Sequence, residues 1–272
     1  MNPENPNPPL GISIDGWLAT VTLQRPEVRN AFDETLIAAL TQAFVELGAR
    51  ADLRCIVLAG DGPAFSAGGD LRWMRRMADY SREQNIADAG ALAAMYRAVA
   101  ECPLPTVARV HGDAFAGGIG LVAACDMAVA ADTAVFCLSE VRIGLVPATI
   151  SPYVIRAMGL RATQRYAATA ERFSAAEAHR IGLVHESVDA SQLDAAVDRL
   201  VHALCGASPA AVRANKVLLA RVEGRELDDA LVRYTVETIA DIRASDEGRE
   251  GLQAFLQKRK PSWLAEKSAE AA

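Results

Sequence analysis

Apolar and polar residues alternate with a period of two in two early stretches. Ile12-Ser13-Ile14 and Ala19-Thr20-Val21-Thr22-Leu23 flank the turn formers Asp15-Gly16, which predicts a β-hairpin. The period then changes. Phe32, Leu36, Leu40, Phe44 and Leu47 recur at helical spacing around the N-cap residue Asp33, so a helix is expected to about residue 47. Residues 55–59 are a short apolar run closed by Gly60-Asp61-Gly62-Pro63, the pattern of a buried strand. The Gly-rich stretch AFSAGGDLRWM (64–74) leads into a helix, and a longer helix over about 87–100 stops at Cys102-Pro103-Leu104-Pro105. A strand at 106–110, a second Gly-rich turn at 111–118, a short helix over about 117–125 and strands at 127–130 and 134–137 follow. Strand, Gly-rich turn and helix thus occur twice, which suggests a repeated β-β-α unit. From residue 149 to 264 nearly everything is patterned as helix, apart from a short strand at 183–187. Residues 1–10, rich in Pro and Asn, read as a flexible tail, 11–205 as the core and 206–272 as a helical C-terminal region.

With 272 residues, 51% of them hydrophobic, the chain has ample material for one large α/β core. Its formal charge of -6 argues against a basic nucleic-acid surface. The apolar run LVAACDMAVAA is broken by Asp126 and too short to cross a bilayer, and no secretory leader pattern opens the chain. A cytoplasmic protein with neither membrane nor nucleic-acid partner is the expectation. Five scattered cysteines without CxxC spacing read as reduced thiols, and no metal site is expected.

Gly118-Ile119-Gly120-Leu121-Val122-Ala123 fits the dinucleotide pattern GxGxxA, but HGDAFAG separates it from the preceding strand, and Asp126 cuts the helix short. The two Gly-rich turns are better taken together. Each puts free N–H groups at a helix start, where the dipole favours negative charge. Converging on one carbonyl oxygen, they would form an oxyanion hole; tight packing for space is the alternative. Glu140 lies between two apolar segments. A buried carboxylate there suits acid/base chemistry, or else pairs with Arg142 or another nearby Arg. His111 opens the second turn and reads as a turn residue. Trp73, Met74 and Tyr153 could line a pocket or simply pack.

Five stretches in order carry a resemblance: Arg25-Pro26-Glu27-Val28-Arg29-Asn30-Ala31, Phe65-Ser66-Ala67-Gly68-Gly69-Asp70-Leu71, HGDAFAGGIGLVAACD (111–126), LSEVRIGLVP (138–147) and Phe255-Leu256-Gln257-Lys258-Arg259-Lys260-Pro261. Over about residues 12–263 the chain resembles the crotonase, or enoyl-CoA hydratase and isomerase, superfamily. The resemblance implies a crotonase-like spiral of β-β-α units with a helical C-terminal region. It implies that the N–H groups of Ala67 and Gly117 hold the thioester oxygen and that Glu140 is the acid/base. It places Ala67, Gly68, Gly69 and Asp70 along the acyl-CoA, Val28 and Arg29 near the CoA phosphates and adenine, and Phe255 and Lys258 on a C-terminal helix that reaches CoA, often from a neighbouring subunit. It implies homotrimers or homohexamers and needs no metal, nicotinamide or flavin, because CoA arrives as part of the substrate.

The chain departs from the family's two-glutamate pattern. Glu140 matches one glutamate, but the other position is Gly120. Hydration of a 2-enoyl-CoA with Glu140 alone is the first reading. A Δ3,Δ2-enoyl-CoA isomerase using the same residue is the second, and a non-catalytic acyl-CoA- or RNA-binding relative is the third. GGDLRWM, GGIGLVAACD and FCLSEVRIGLVPATISPYVIRAMG look like a branch of methylglutaconyl-CoA or isohexenylglutaconyl-CoA hydratases. That implies a branched or glutaconyl substrate, with Arg72, Arg75, Arg76, Arg142 or Arg156 available for a second carboxylate.

Overall fold

In the computed structural model, which describes residues 8–264, the early alternation is an antiparallel hairpin of β1 (Leu10–Asp15) and β2 (Leu18–Leu23). Gly16 turns it with a φ of +56°, and Ala19, Val21 and Leu23 face inward, fully buried. Most of the predicted tail lies outside the described residues, but Leu10 already pairs with Leu23 in the sheet. Asp33 caps α1 (Glu34–Gly48) by accepting the Leu36 N–H at 2.9 Å, and Leu36, Leu40, Phe44 and Leu47 form its buried face.

Three β-β-α units follow, where the sequence suggests two. The first comprises β3 (Cys55–Gly60), β4 (Ala64–Ser66), α2 (Leu71–Met77) and α3 (Arg82–Ala100). The second comprises β5 (Thr106–Val110), β6 (Asp113–Phe115) and α4 (Gly117–Ala124). The third comprises β7 (Met127–Ala131), β8 (Val135–Cys137), a 3-10 turn at Glu140–Ile143 and α5 (Ser151–Thr169). Strands β4 and β6 have three residues each, too few to show a period in sequence, whereas β8, also of three, falls within the strand expected at 134–137. Helix α3 begins earlier than expected because Ser81 and Gln84 form a reciprocal capping box.

The chain continues through β9 (Phe173–Ser174), α6 (Ala175–Arg180), β10 (Glu186–Val188) and α7 (Leu193–Gly206), then α8 (Pro209–Val222), α9 (Asp229–Ala244) and α10 (Asp246–Leu256). The longer strands β1, β2, β3, β5 and β7 join the three-residue β10 in a six-stranded sheet, β1-β2-β3-β5-β7-β10, and the other short strands form a four-stranded sheet, β4-β6-β8-β9. Because β4, β6 and β8 run parallel, they end at the same edge. The segments that leave them, around residues 67–70, 116–118 and 138–140, are therefore neighbours in space.

Helices α8 to α10 bury only Leu231 and Ala254. Cations tie this arm to the core instead. Lys216 Nζ reaches Asp126 at 2.7 Å and the Leu104 carbonyl at 3.2 Å, and Arg213 reaches the carbonyls of Arg50 and Leu53. Among the described residues no helix is long and apolar enough to cross a membrane, and no cluster of three His, Cys, Asp or Glu could hold a metal ion. All five cysteines are free thiols.

Candidate active site

The first Gly-rich turn is pinned by the segment before α1. Phe32 donates its N–H to the Gly68 carbonyl at 2.6 Å and accepts the Asp70 N–H at 2.8 Å. Ala67 donates to the Arg29 carbonyl at 2.9 Å, and Gly68 to Ser66 Oγ at 3.3 Å. Among the described residues the Gly69 N–H has no acceptor. This corrects the expectation for Ala67: its N–H is already committed, and the free donor in the turn belongs to Gly69. Gly68 has a φ of +88°, and a Cβ on it would lie 2.9 Å from Ala116 Cβ and 3.4 Å from Gly117 N. Only glycine lets the two turns come this close.

The second turn is strained. Ala116 has φ 48° and ψ -119°, and no side chain caps α4. The first N–H groups of a helix have no intrahelical partner, so the Gly117 N–H is available for a ligand. Free donors on Gly69 and Gly117 thus flank the contact at Gly68.

Glu140 opens the 3-10 turn after β8. Its Oε2 is buried without a hydrogen-bond partner among the described residues. Burial pushes the Glu140 carboxyl above its ordinary range, and only its own backbone N–H opposes the shift. The anticipated alternative, an ion pair with Arg142, is not formed: Arg142 donates to the Ala170 carbonyl at 2.6 Å.

The space beside Gly120 is filled. A Cβ there would lie 2.2 Å from Ile150 Cγ2 and 2.8 Å from Tyr96 Cε1. Tyr96 is itself fully buried, with its ring centroid 6.5 Å from Phe32 and 6.0 Å from Tyr153. The residue lacks a carboxylate, and its surroundings have no room for one.

The other predicted residues lie in turns, helices and the C-terminal arm around these two turns. Val28 ends a 3-10 turn, and Arg29 follows with a φ of +54°. The Asp70 carboxylate caps α2 through the Arg72 N–H at 2.7 Å and pairs with Arg25 at 2.9 Å. Phe255 and Lys258 sit at the end of α10, which packs on α8 and α9; Phe255 is 81% exposed. His111 bonds the Gly62 carbonyl at 2.9 Å, as a turn residue would. Trp73 is buried, with its indole N–H on Asp88. Sequence reading missed Asn30 and Tyr96. Asn30, fully buried, accepts the Arg25 N–H and donates to the carbonyls of Asp61 and Ala64. Its place in the RPEVRNA motif is the signal that could have found it. Tyr96 has no local signal beyond one aromatic residue in a helical pattern.

Two glycine turns with free N–H groups meet at Gly68, and a carboxylate with one buried, unpartnered oxygen follows β8, groups suited to polarising a carbonyl and moving a proton. The enoyl-CoA hydratase/isomerase family pattern matches residues 14–266, and the chain belongs to that family. An enoyl-CoA hydratase structure from Shewanella pealeana superposes with a TM-score of 0.91 at 43% identity, covering 94% of this chain and 96% of that one. One from Mycobacterium smegmatis gives 0.90 at 35%, covering 94% and 99%. The human mitochondrial enoyl-CoA hydratase domain-containing protein 3 is 30% identical over 96% of this chain and 85% of its own length.

Proposed function

We propose that the chain adds water across the 2,3-double bond of an enoyl-CoA thioester with Glu140 as its one acid/base. The Glu140 Oε2, buried without a hydrogen-bond partner among the described residues, carries this reading. The N–H groups of Gly69 and Gly117 hold the thioester oxygen. Glu140 takes a proton from water as the oxygen adds to Cβ, and the electron pair of the double bond moves to the thioester as an enolate. The protonated Glu140 then returns a proton to Cα. The thioester supplies the electron sink, so the reaction draws on no separate cofactor.

The packed wall at Gly120 favours a second reading. With no second carboxylate to hold water, Glu140 would remove a Cα proton from a 3-enoyl-CoA and return it at Cγ, moving the double bond to the 2-position. Mass analysis of products from 2-enoyl, 3-enoyl and 3-methylglutaconyl thioesters separates the two. A gain of one water supports hydration, and a same-mass shift of the double bond supports isomerisation. Absence of both, with the thioester still bound, favours the non-catalytic reading and defeats both enzymatic ones. CoA contacts from Val28, Arg29, Gly68, Phe255 and Lys258, assembly as a trimer or hexamer, a glutaconyl-type substrate and a cytoplasmic location belong to the same proposal. Arg142 is committed to Ala170 and Arg76 to Glu34, so a second carboxylate on the substrate needs another arginine.

The assignment to Gly69 has its own test. Gly69→Pro deletes the free N–H and is expected to slow turnover about 10²–10³-fold. Gly69→Ala keeps the N–H, and its Cβ meets Met74 at an ordinary 3.5 Å, so turnover should stay close to wild type. Steady-state rates of both variants check this.

A further inference from the structure

Helix α4 starts on glycines and without a side-chain cap. Gly117, Gly118 and Gly120 are three of its first four residues, and Ala116 before them is strained and caps nothing. The glycines are needed for space: a Cβ on Gly118 would lie 2.5 Å from the Ser66 carbonyl, and one on Gly117 2.7 Å from Tyr96 Oη. Glycine by itself limits φ and ψ little, so the aim of a catalytic N–H at this helix start depends on what its neighbours hold. Among the described residues one side chain bonds to residues 116–118. Tyr96 Oη donates to the Gly117 carbonyl at 2.9 Å. Tyr96 is fully buried on α3, its ring fixed between Phe32 and Tyr153, so its hydroxyl is a rigid anchor rather than a mobile contact.

We infer that Tyr96 is a positioning residue: by holding the Gly117 carbonyl, in the peptide plane that follows the Gly117 N–H, its hydroxyl fixes the Gly117 Cα and the first turn of α4, from which that N–H points at the thioester oxygen. The inference rests on the acyl-CoA reading above. The same ring closes the space beside Gly120, so one side chain both aims the oxyanion donor and keeps the site to a single carboxylate.

Tyr96→Phe removes the hydroxyl and keeps the ring. Loss of one neutral hydrogen bond is expected to lower kcat about five- to tenfold, with KM little changed. A purely structural role would not move the second readout, the absorption of a bound aromatic enoyl-CoA thioester. That band moves to longer wavelength when the carbonyl is polarised, and Tyr96→Phe should shrink the shift while binding persists. If wild type and Tyr96→Phe give the same shift, the positioning role is overturned and the acyl-CoA reading stands. If wild type gives no shift with the thioester bound, the oxyanion reading fails and takes the inference with it. Should Tyr96→Phe not fold, a ring-fluorinated tyrosine at position 96 keeps the packing and strengthens the donor. It should enlarge the shift, and an unchanged shift overturns the proposal.

Discussion

Glu140→Gln is expected to slow turnover about 10²–10⁴-fold while leaving thioester binding nearly intact. The amide keeps the shape of the carboxyl but cannot exchange a proton. The wild-type rate should also fall as pH drops through the Glu140 pKa, at a higher pH than an ordinary carboxylate would give, because burial holds that pKa up. Stability changes in the opposite sense. A carboxyl whose pKa is raised on folding binds its proton more tightly in the folded state. Wild-type stability therefore falls as pH rises from the unfolded carboxylate pKa to the higher folded value, and stays lowered above it. Gln carries no such penalty. Glu140→Gln should melt above wild type at neutral pH and lose that advantage in acid. Turnover and melting temperature at both pH values check this. A variant that stays active, or melts lower at neutral pH, would sink the assignment.

Gly120→Glu is expected to destabilise the fold by at least ~3 kcal/mol and to add no hydratase activity. The substitution drives a Cβ to within 2.2 Å of Ile150 Cγ2 and buries a charge against the Tyr96 ring. Adding Ile150→Ala frees the nearest atoms and should recover part of the loss, a coupling that a double-mutant cycle in urea measures. If Gly120→Glu alone folds like wild type and accelerates hydration, the wall beside Gly120 is soft and the single-carboxylate site is wrong. The result bears on how this chain departs from the two-glutamate pattern. Restoring the missing residue by one substitution meets a neighbourhood already rebuilt around its absence.

Much of the scaffold is legible locally. Asp33 and α1, the hairpin at Gly16, and the positions of Gly117 and Glu140 follow from side-chain period, cap chemistry and motif spacing, all of which act over a few residues. In the second sheet β8 is anticipated by the strand at 134–137, but β4 and β6 are not legible, because a three-residue strand shows too little alternation to stand out.

The donors show the same division more sharply. Sequence alone determined where the two glycine turns and the isolated Glu140 lie; that they act together is what the family resemblance implies. Which N–H in the first turn is free depended on where the Arg29 carbonyl lies, and it lies against Ala67, leaving Gly69 open. Whether Gly120 could have tolerated a side chain depended on Ile150 and Tyr96, which come from other elements. Likewise burial raises the Glu140 pKa, while Arg142, two residues along the chain, donates to the Ala170 carbonyl rather than pairing with it. Turn chemistry and periodicity are local properties of the chain. Hydrogen-bond occupancy, free volume and desolvation are set by partners distant in sequence, and only the tertiary structure decided them.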